Sequence, residues 1–303
     1  MPDGGGATSF KIGIRSEDLI PRDLIPVVME ALGDRYTIER EIARGGAGRV
    51  FLAHDAKGRD VALKILHPEL MVSVQADRFL REIELLARLD HPLIAKLLDF
   101  GERDWLVYFA MSYVEGTTLQ AILDKVRRTS IADALRLGDD LLDALAYAHS
   151  QGIVHRDVKP ANIILADAGA MLVDFGIARA VEVAGRERIT LSGFTVGTSA
   201  YMSPEQAAAL PTIDHRSDLY SLGCVLFECL AGRPPFVHRH EAIVLELQQT
   251  EASPDVRRFR PDVPEALATV LLKAMEKRPE QRWESAAAMR AAMTESTRAV
   301  SQG

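Results

Sequence analysis

The chain has 303 residues, of which 48% are hydrophobic and 26% are charged, and its formal net charge is −7 at pH 7. This composition is typical of a globular protein, and the length suffices for one large or two smaller domains. The acidic balance argues against nucleic-acid binding, which normally needs a basic surface.

The two cysteines, Cys224 and Cys229, lie in one apolar run and lack the spacing of a metal site or a disulfide framework. We therefore expect two buried thiols. The same run, residues 219–231, is too short to cross a bilayer, and the first residues lack the features of a signal peptide. From these features we expect a cytoplasmic chain without a membrane segment, although tethering through flanking regions outside this sequence stays open.

Residues 1–33 are predicted to form an N-terminal extension, flexible at first and then amphipathic. Within residues 16–33, apolar side chains recur at roughly helical spacing, interrupted by Pro21 and Pro26. The pattern predicts one or two short helices. Two roles stay open for them: packing on the following domain, or docking and dimerisation.

From Tyr36 the pattern changes to strands. Residues 36–42 alternate, and residues 43–53 form a glycine-containing turn between two strands. Glycines let a backbone close over phosphates, because a side chain would block the approach. A glycine hairpin alone is weak evidence, since most such hairpins are only turns.

The strand at residues 60–66 carries one lysine, Lys64. A buried strand lysine needs a partner, and the predicted helix at residues 76–89 offers Glu82 beside its apolar stripe. Two further strands are predicted, Leu97 to Gly101 and Trp105 to Val114. The second ends in an extended hinge whose backbone could bond the edge of an adenine ring.

From Thr118 the chain is predicted to be mostly helical, with strong helices at residues 135–150 and 218–231. Residues 177–202 are rich in Thr, Ser, Gly and Arg and predict a long mobile loop, which in a compact domain usually serves function. Helices continue to about Met293, and the last residues form a polar tail.

The stretch at residues 153–176 carries two carboxylates and one amide that suit phosphoryl transfer. Asp157 could steer a hydroxyl, while Asn162 and Asp174 supply the hard oxygen ligands that magnesium prefers. Around these residues the sequence reads His155-Arg156-Asp157 and Asp174-Phe175-Gly176.

Other motifs lie on both sides of this stretch: the glycine loop, Val61-Ala62-Leu63-Lys64 and Glu82 before it, and Ser203-Pro204-Glu205, Asp218 and Arg282 after it. In this order the motifs resemble the eukaryotic-like (Hanks-type) protein Ser/Thr kinases, especially the bacterial branch. The resemblance covers about residues 36–293. It implies an α+β bilobal protein-kinase fold: a small β-rich N-lobe with one main helix, and a larger, mainly helical C-lobe. We expect the N-lobe with its hinge at residues 34–114, the C-lobe at 115–295 and the polar tail at 296–303.

The resemblance implies an ATP-dependent protein serine/threonine kinase that transfers the γ-phosphate to Ser or Thr hydroxyls of proteins. Asp157 would accept the hydroxyl proton, and Lys159 would reach the γ-phosphate. Lys64, held by Glu82, would contact the α- and β-phosphates. Asn162 and Asp174 would ligate Mg²⁺, for which Mn²⁺ could substitute. The expected ATP-binding residues are Ile42, Ala43, Gly45, Gly46, Gly48, Val50, Ala62, Lys64, Met111, Ser112, Val114 and Ile164.

The same resemblance implies regulation and internal support. Arg156 next to the catalytic aspartate is typical of kinases activated by phosphorylation of their loop, because a phosphate offsets the guanidinium charge. The candidate acceptors are Thr190, Ser192 and Thr195. Structural roles fall to Arg156, Asp218 and an ion pair between Glu205 and Arg282. The implied partners are ATP and protein substrates, and a homodimer that phosphorylates itself in trans is a further option.

Two departures from the family pattern are present. Ala43 replaces the first glycine of the loop, from which we expect a modest effect on nucleotide affinity. Ser112 replaces a common hinge glutamate, with little expected change. Two other functions compete with this one: a catalytically weak kinase-like scaffold, and a small-molecule phosphotransferase. The first is disfavoured because all the catalytic residues are present, and the second because Ser203-Pro204-Glu205 and Arg282 support a peptide-docking surface.

Overall fold

The structure is a computed structural model that describes residues 24–45, 48–66, 83–103, 106–175 and 198–300, with the side chains of residue 198 and residues 297–300 excepted. Among these residues, five strands form an antiparallel sheet in the order β1-β2-β3-β5-β4. They are β1 (Tyr36–Gly45), β2 (Gly48–Asp55), β3 (Asp60–Leu66), β4 (Leu97–Arg103) and β5 (Leu106–Ser112). The predicted strands are confirmed, with ends shifted by a few residues at most.

The two faces of this sheet serve different purposes, because neighbouring side chains along a strand point to opposite sides. On one face Lys64 is paired across the strands with Val50 and Phe109, and Ala62 with Met111. Phe109 and Met111 join the large apolar core that includes the helical lobe. This face therefore borders the cleft between the lobes.

The opposite face is covered by helix α1 (Ile25–Leu32). Val28 and Leu32 are fully buried against strand residues such as Phe51 and Leu63. Pro26 sits in the first turn of the helix, where its missing N–H costs nothing. The described part of the amphipathic segment thus packs on the sheet, which was the first of the two predicted roles; residues 16–23 lie outside the described chain.

The second lobe is mainly helical. Its helices are α2 (Leu119–Val126), α3 (Ile131–Ser150), α4 (Pro204–Ala207), α5 (Arg216–Ala231), α6 (Glu241–Thr250), α7 (Glu265–Ala274) and α8 (Ala286–Val300). A small antiparallel sheet of β6 (Thr117–Thr118), β7 (Ile163–Ala166) and β8 (Gly169–Leu172) lies beside them. Together the elements form the α+β bilobal kinase fold that the sequence predicted.

Helices α3 and α5 form the centre of this lobe. Helix α3 begins at Ile131, four residues before the predicted start, because Ser130 caps it by accepting a hydrogen bond from the Asp133 N–H. Helix α5 is buried on nearly all sides, and both Cys224 and Cys229 are buried free thiols, as predicted. No helix in the described part of the chain is both long and apolar enough to span a membrane.

Candidate active site

The site begins in the loop between α3 and β7. The Asp157 carboxylate accepts a hydrogen bond of 2.8 Å from the Asn162 side-chain amide, which also donates to the Asp157 backbone carbonyl at 2.9 Å. The Lys159 amine lies 2.8 Å from the same carboxylate. Three residues that the sequence assigned to substrate and metal therefore meet at one carboxylate.

Asp218, at the start of α5, binds the backbone of this loop. Its two oxygens accept the backbone N–H groups of His155 and Arg156, both at 2.8 Å, and the His149 ring donates to it at 2.8 Å. Burial alone would raise the pKa of the Asp218 carboxyl, but the hydrogen bond and charge of His149 and the loop amides outweigh it and hold the pKa below its ordinary value. The bracing predicted for Asp218 is present; the part of His149 was missed.

His155 joins the loop to the strand end that carries Asp174. Its Nε2 donates to the Val173 carbonyl at 3.1 Å, and its Nδ1 accepts the Asp157 N–H at 3.2 Å, so one neutral tautomer satisfies both bonds. The Phe175 ring lies 4.4 Å from the imidazole, centroid to centroid, and is buried. This contact positions the Asp174-Phe175 turn against the loop of Asp157.

Lys64 and Asp174 connect the two lobes. The Lys64 Nζ lies 2.8 Å from Asp174 Oδ2, and the lysine is only 7% exposed. The partner predicted for Lys64, Glu82, lies outside the described residues, so that pairing stays a prediction. The contact with Asp174 was missed, since no spacing rule relates residues in two different lobes.

The donor set at this site suits a cation held jointly with phosphates. Within the described residues, no group of three or more His, Cys, Asp or Glu side chains could bind a metal by itself. Asp174 and Asn162 offer one carboxylate and one amide oxygen, since the Asn162 nitrogen is committed to Asp157. Mg²⁺ is usually bound by one or two such protein oxygens, with waters and substrate phosphates as its other ligands.

The strand ends on both sides of the glycine turn belong to β1 and β2. A side chain on Gly48 would put its Cβ 2.1 Å from the Ile65 carbonyl oxygen, so only glycine fits there. Glu41 holds the turn by pairing with Arg44 at 2.8 Å and lying 3.7 Å from Arg49. Ala43 and Gly45 end strand β1, whereas Gly46 lies outside the described residues.

The hinge is fastened by Ser112. Its backbone N–H donates to the Lys96 carbonyl at 2.8 Å, and its hydroxyl oxygen accepts the Lys96 N–H at 2.9 Å. Ser112, which replaces a common hinge glutamate, thus connects the end of β5 to Lys96, the residue just before β4. The adenine contacts expected of Ser112, Val114 and the apolar set Ile42, Val50, Ala62, Met111 and Ile164 stay predictions.

The predicted pair of Glu205 and Arg282 is present and buried. Two parallel hydrogen bonds of 2.8 and 2.7 Å join the guanidinium to the carboxylate, and the Ser217 hydroxyl adds a third at 2.5 Å. Burial would raise the pKa of Glu205, yet the hydrogen bonds and charge of Arg282 overcome it and leave the pKa below its ordinary value. A charged pair therefore anchors α4.

Two glutamines that the sequence did not single out hold the segment before α4. Gln248, fully buried on α6, donates to the carbonyls of Ser199 and Ala200 at 3.2 and 2.8 Å. Gln206 accepts the Ser203 N–H and hydroxyl at 3.1 and 3.0 Å and donates to the Arg156 carbonyl at 2.7 Å. Ser203 followed three residues later by Gln206 is a capping-box pattern, which the sequence does display.

The candidate phosphorylation sites Thr190, Ser192 and Thr195 lie outside the described residues. Of the predicted loop at residues 177–202, residues 198–201 form a turn of 3₁₀ helix instead. The Arg156 guanidinium donates to the Ile213 carbonyl at 3.4 Å.

Comparison with known proteins places this site in a family. Residues 36–293 match the family model described as the protein kinase domain. The chain is 41% identical over 267 residues to the serine/threonine-protein kinase PknB of Mycolicibacterium smegmatis, covering 86% of this chain and 42% of that protein. It is 38% identical over 270 residues to the serine/threonine-protein kinase PrkC of Bacillus subtilis, covering 88% of this chain and 41% of that protein.

The chain thus spans less than half the length of these curated relatives. The family model covers most of the chain, and more than a third of the aligned residues are identical in each of the two relatives. The chain belongs to the protein kinase family and is similar to its bacterial serine/threonine kinases.

Proposed function

We propose that this chain is an ATP-dependent protein serine/threonine kinase. The observation that carries the proposal is the contact of 2.8 Å between Lys64 and Asp174 across the cleft, next to the Asp157–Asn162 hydrogen bond. A buried cation beside two carboxylates supports the binding of a magnesium nucleotide next to a substrate hydroxyl.

In the proposed reaction a substrate hydroxyl oxygen bonds to the γ-phosphorus of ATP, the bond to the β–γ bridging oxygen breaks, and ADP leaves. Asp157 orients the hydroxyl and accepts its proton. Lys64 binds the α- and β-phosphates, and Lys159 contacts the γ-phosphoryl group during its transfer. Mg²⁺ held by Asn162 and Asp174 would supply charge neutralisation at the phosphates. Catalysis then rests on position and electrostatics.

Lys159 has to change partner in this scheme. Its amine now lies against the Asp157 carboxylate, and a nucleotide would offer it more concentrated negative charge. Among the described side chains, the exchange would leave the Asn162 amide as the hydrogen-bond donor to the Asp157 carboxylate. The carboxylate would then be available to a substrate hydroxyl.

Regulation by phosphorylation forms part of the proposal. Arg156 stands beside the catalytic residue, and Thr190, Ser192 and Thr195 are the proposed acceptors. The test is a phosphosite map of protein incubated with ATP and magnesium. Active protein without phosphate anywhere in residues 180–200 would contradict this part. A homodimer acting in trans would make the rate of modification depend on protein concentration.

The experiment for the activity uses radiolabelled ATP with a generic basic protein as acceptor, compared between the wild type and Asp157→Asn. We expect transfer by the wild type and its loss in the variant. No transfer by the wild type at high concentration would favour the scaffold function. Transfer to small molecules but not to protein would favour the small-molecule phosphotransferase.

A further inference from the structure

The peptide unit between Arg156 and Asp157 is held at both of its polar ends. Its carbonyl, on Arg156, accepts a hydrogen bond of 2.7 Å from the Gln206 side chain. Its N–H, on Asp157, donates to His155 Nδ1 at 3.2 Å. Because a peptide unit is planar, these two bonds fix the rotation of the plane from which the Asp157 Cα and its carboxylate extend.

This plane adjoins a strained residue. Arg156 has a φ of 67°, in the left-handed region that side chains disfavour. Such a conformation persists only where the surroundings enforce it. The Arg156 N–H is bound by Asp218 on one side and its carbonyl by Gln206 on the other. Releasing the Gln206 bond would leave the carbonyl side without that restraint.

Gln206 is also part of a different segment. Its side-chain oxygen accepts the N–H and hydroxyl of Ser203 and so caps α4, while its nitrogen reaches Arg156. One amide therefore joins the cap of α4 to the loop of Asp157. A carboxylate could do the first task but not the second, because it has no hydrogen to donate.

The segment before α4 is restrained on its far side as well. Gln248 is fully buried and binds the carbonyls of Ser199 and Ala200, while its own oxygen accepts the Tyr220 hydroxyl at 2.5 Å. Gln248 thus holds residues 199 and 200, and Gln206 holds Ser203. The bond from Gln206 to the Arg156 carbonyl connects this segment to the catalytic loop.

We infer that Gln206 is a positioning residue that couples the segment at residues 199–206 to the catalytic carboxylate of Asp157. The inference rests on the proposed kinase function and adds a residue that acts through the Arg156 carbonyl. It does not require Gln206 to touch ATP or substrate. Its loss should lower kcat, since the carboxylate would no longer be held at the angle the hydroxyl needs.

The test separates the two bonds of Gln206. In the full chain, Gln206→Glu keeps the acceptor for Ser203 and removes the donor to Arg156, and Gln206→Met removes both without adding charge. The matched control, Ser130→Ala, removes the capping hydroxyl of α3 and leaves both bonds of Gln206 in place. Each protein is assayed for kcat, for the KM of ATP and for Tm.

We expect Gln206→Glu and Gln206→Met to lower kcat by about tenfold, the equivalent of one strong hydrogen bond. The KM of ATP should change little in either variant. The fall in kcat of the two Gln206 variants should exceed what their change in Tm accounts for, while Ser130→Ala should lower Tm and keep kcat. Such a split between stability and turnover is not expected from a merely structural role.

Two results would overturn the inference: full kcat in both Gln206 variants, or a fall in kcat that follows Tm equally in all three proteins. Should Gln206→Glu fail to fold, the comparison of Gln206→Met with Ser130→Ala decides. The proposed function fails separately, when the wild type transfers no more phosphate than Asp157→Asn. If the wild type and the Gln206 variants are equally active, the proposed kinase function stands and only the role of Gln206 is contradicted.

Discussion

Arg282 and Glu205 form a buried, doubly hydrogen-bonded ion pair between residues that are 77 positions apart in the chain. Arg282 is 4% exposed and Glu205 is 5% exposed. The guanidinium also donates to the carbonyls of Glu276 and Lys277. The pair joins α4 to the turn after α7 and so supports the proposed substrate side of the cleft.

Replacing one residue of the Glu205–Arg282 pair should lower the free energy of unfolding. Arg282→Met would leave a buried carboxylate unpaired, which typically costs about 3–5 kcal/mol. Unfolding in urea measures the loss. The exposed Arg278, in the same turn, provides the control Arg278→Met, which should stay within about 0.5 kcal/mol of the wild type. Equal midpoints for the two variants would contradict a structural role for the pair.

Lys277 gives a pH dependence to stability. Its amine donates to the Tyr220 hydroxyl and the Gln248 carbonyl at 3.0 and 2.9 Å and lies over the Phe236 ring. Burial, and after it the charge of Arg282, lowers the pKa of Lys277 from 10.5 to about 8 despite the opposing influence of Cys224, Glu251 and Glu276.

Between pH 8 and 10.5, Lys277 keeps its proton in the unfolded chain but has lost it in the folded chain. The free energy of unfolding therefore increases as the pH rises through this range. We expect the stability of the wild type relative to Lys277→Met to increase from about pH 7 to about pH 10. Groups common to both proteins cancel in the difference. A constant or falling difference would contradict the lowered pKa.

Lys64→Met tests the contact across the cleft. The variant removes the cation that faces Asp174 and, in the proposed reaction, the phosphates. We expect transfer to the basic protein to fall by about 100-fold or more, while Tm changes little, because methionine fills a similar volume. Lys96→Met, at a half-exposed lysine bound to Asp90, is the control and should retain activity. Near-normal transfer by Lys64→Met would remove this residue from the site.

Helix α1 should stabilise the N-lobe sheet. Leu32 is fully buried, so Leu32→Ala should cost about 2–5 kcal/mol. Met29 lies on the same helix with 49% of its surface exposed, and Met29→Ala should stay within about 0.5 kcal/mol of the wild type. Equal losses would mean that α1 does not pack as described.

Light scattering tests the docking role that was left open for the same segment. The full chain is compared with a chain that starts at Asp34. A truncated chain that keeps the mass per particle but loses Tm supports packing alone. A full chain that forms dimers which the truncated chain cannot form would instead support the docking role, and Met29→Ala would then be examined for the same loss.

The sequence determined the order of elements and the chemistry. The alternation of residues 36–42 in β1 and the apolar stripe of α3 are local patterns, because burial repeats with the period of the element. The three groups suited to phosphoryl transfer, Asp157, Asn162 and Asp174, are also visible locally. Their types suit hydroxyl orientation and magnesium binding, and the motifs in the rest of the chain made that prediction specific.

The tertiary structure decided which groups meet. The contact of Lys64 with Asp174, the His149 support of Asp218 and the Gln206 bond to Arg156 join residues separated by 50 or more positions. No periodicity encodes such contacts, since they depend on how helices and the sheet pack around a common core. Packing also placed α1, because only the assembled sheet offers a face that buries Val28 and Leu32.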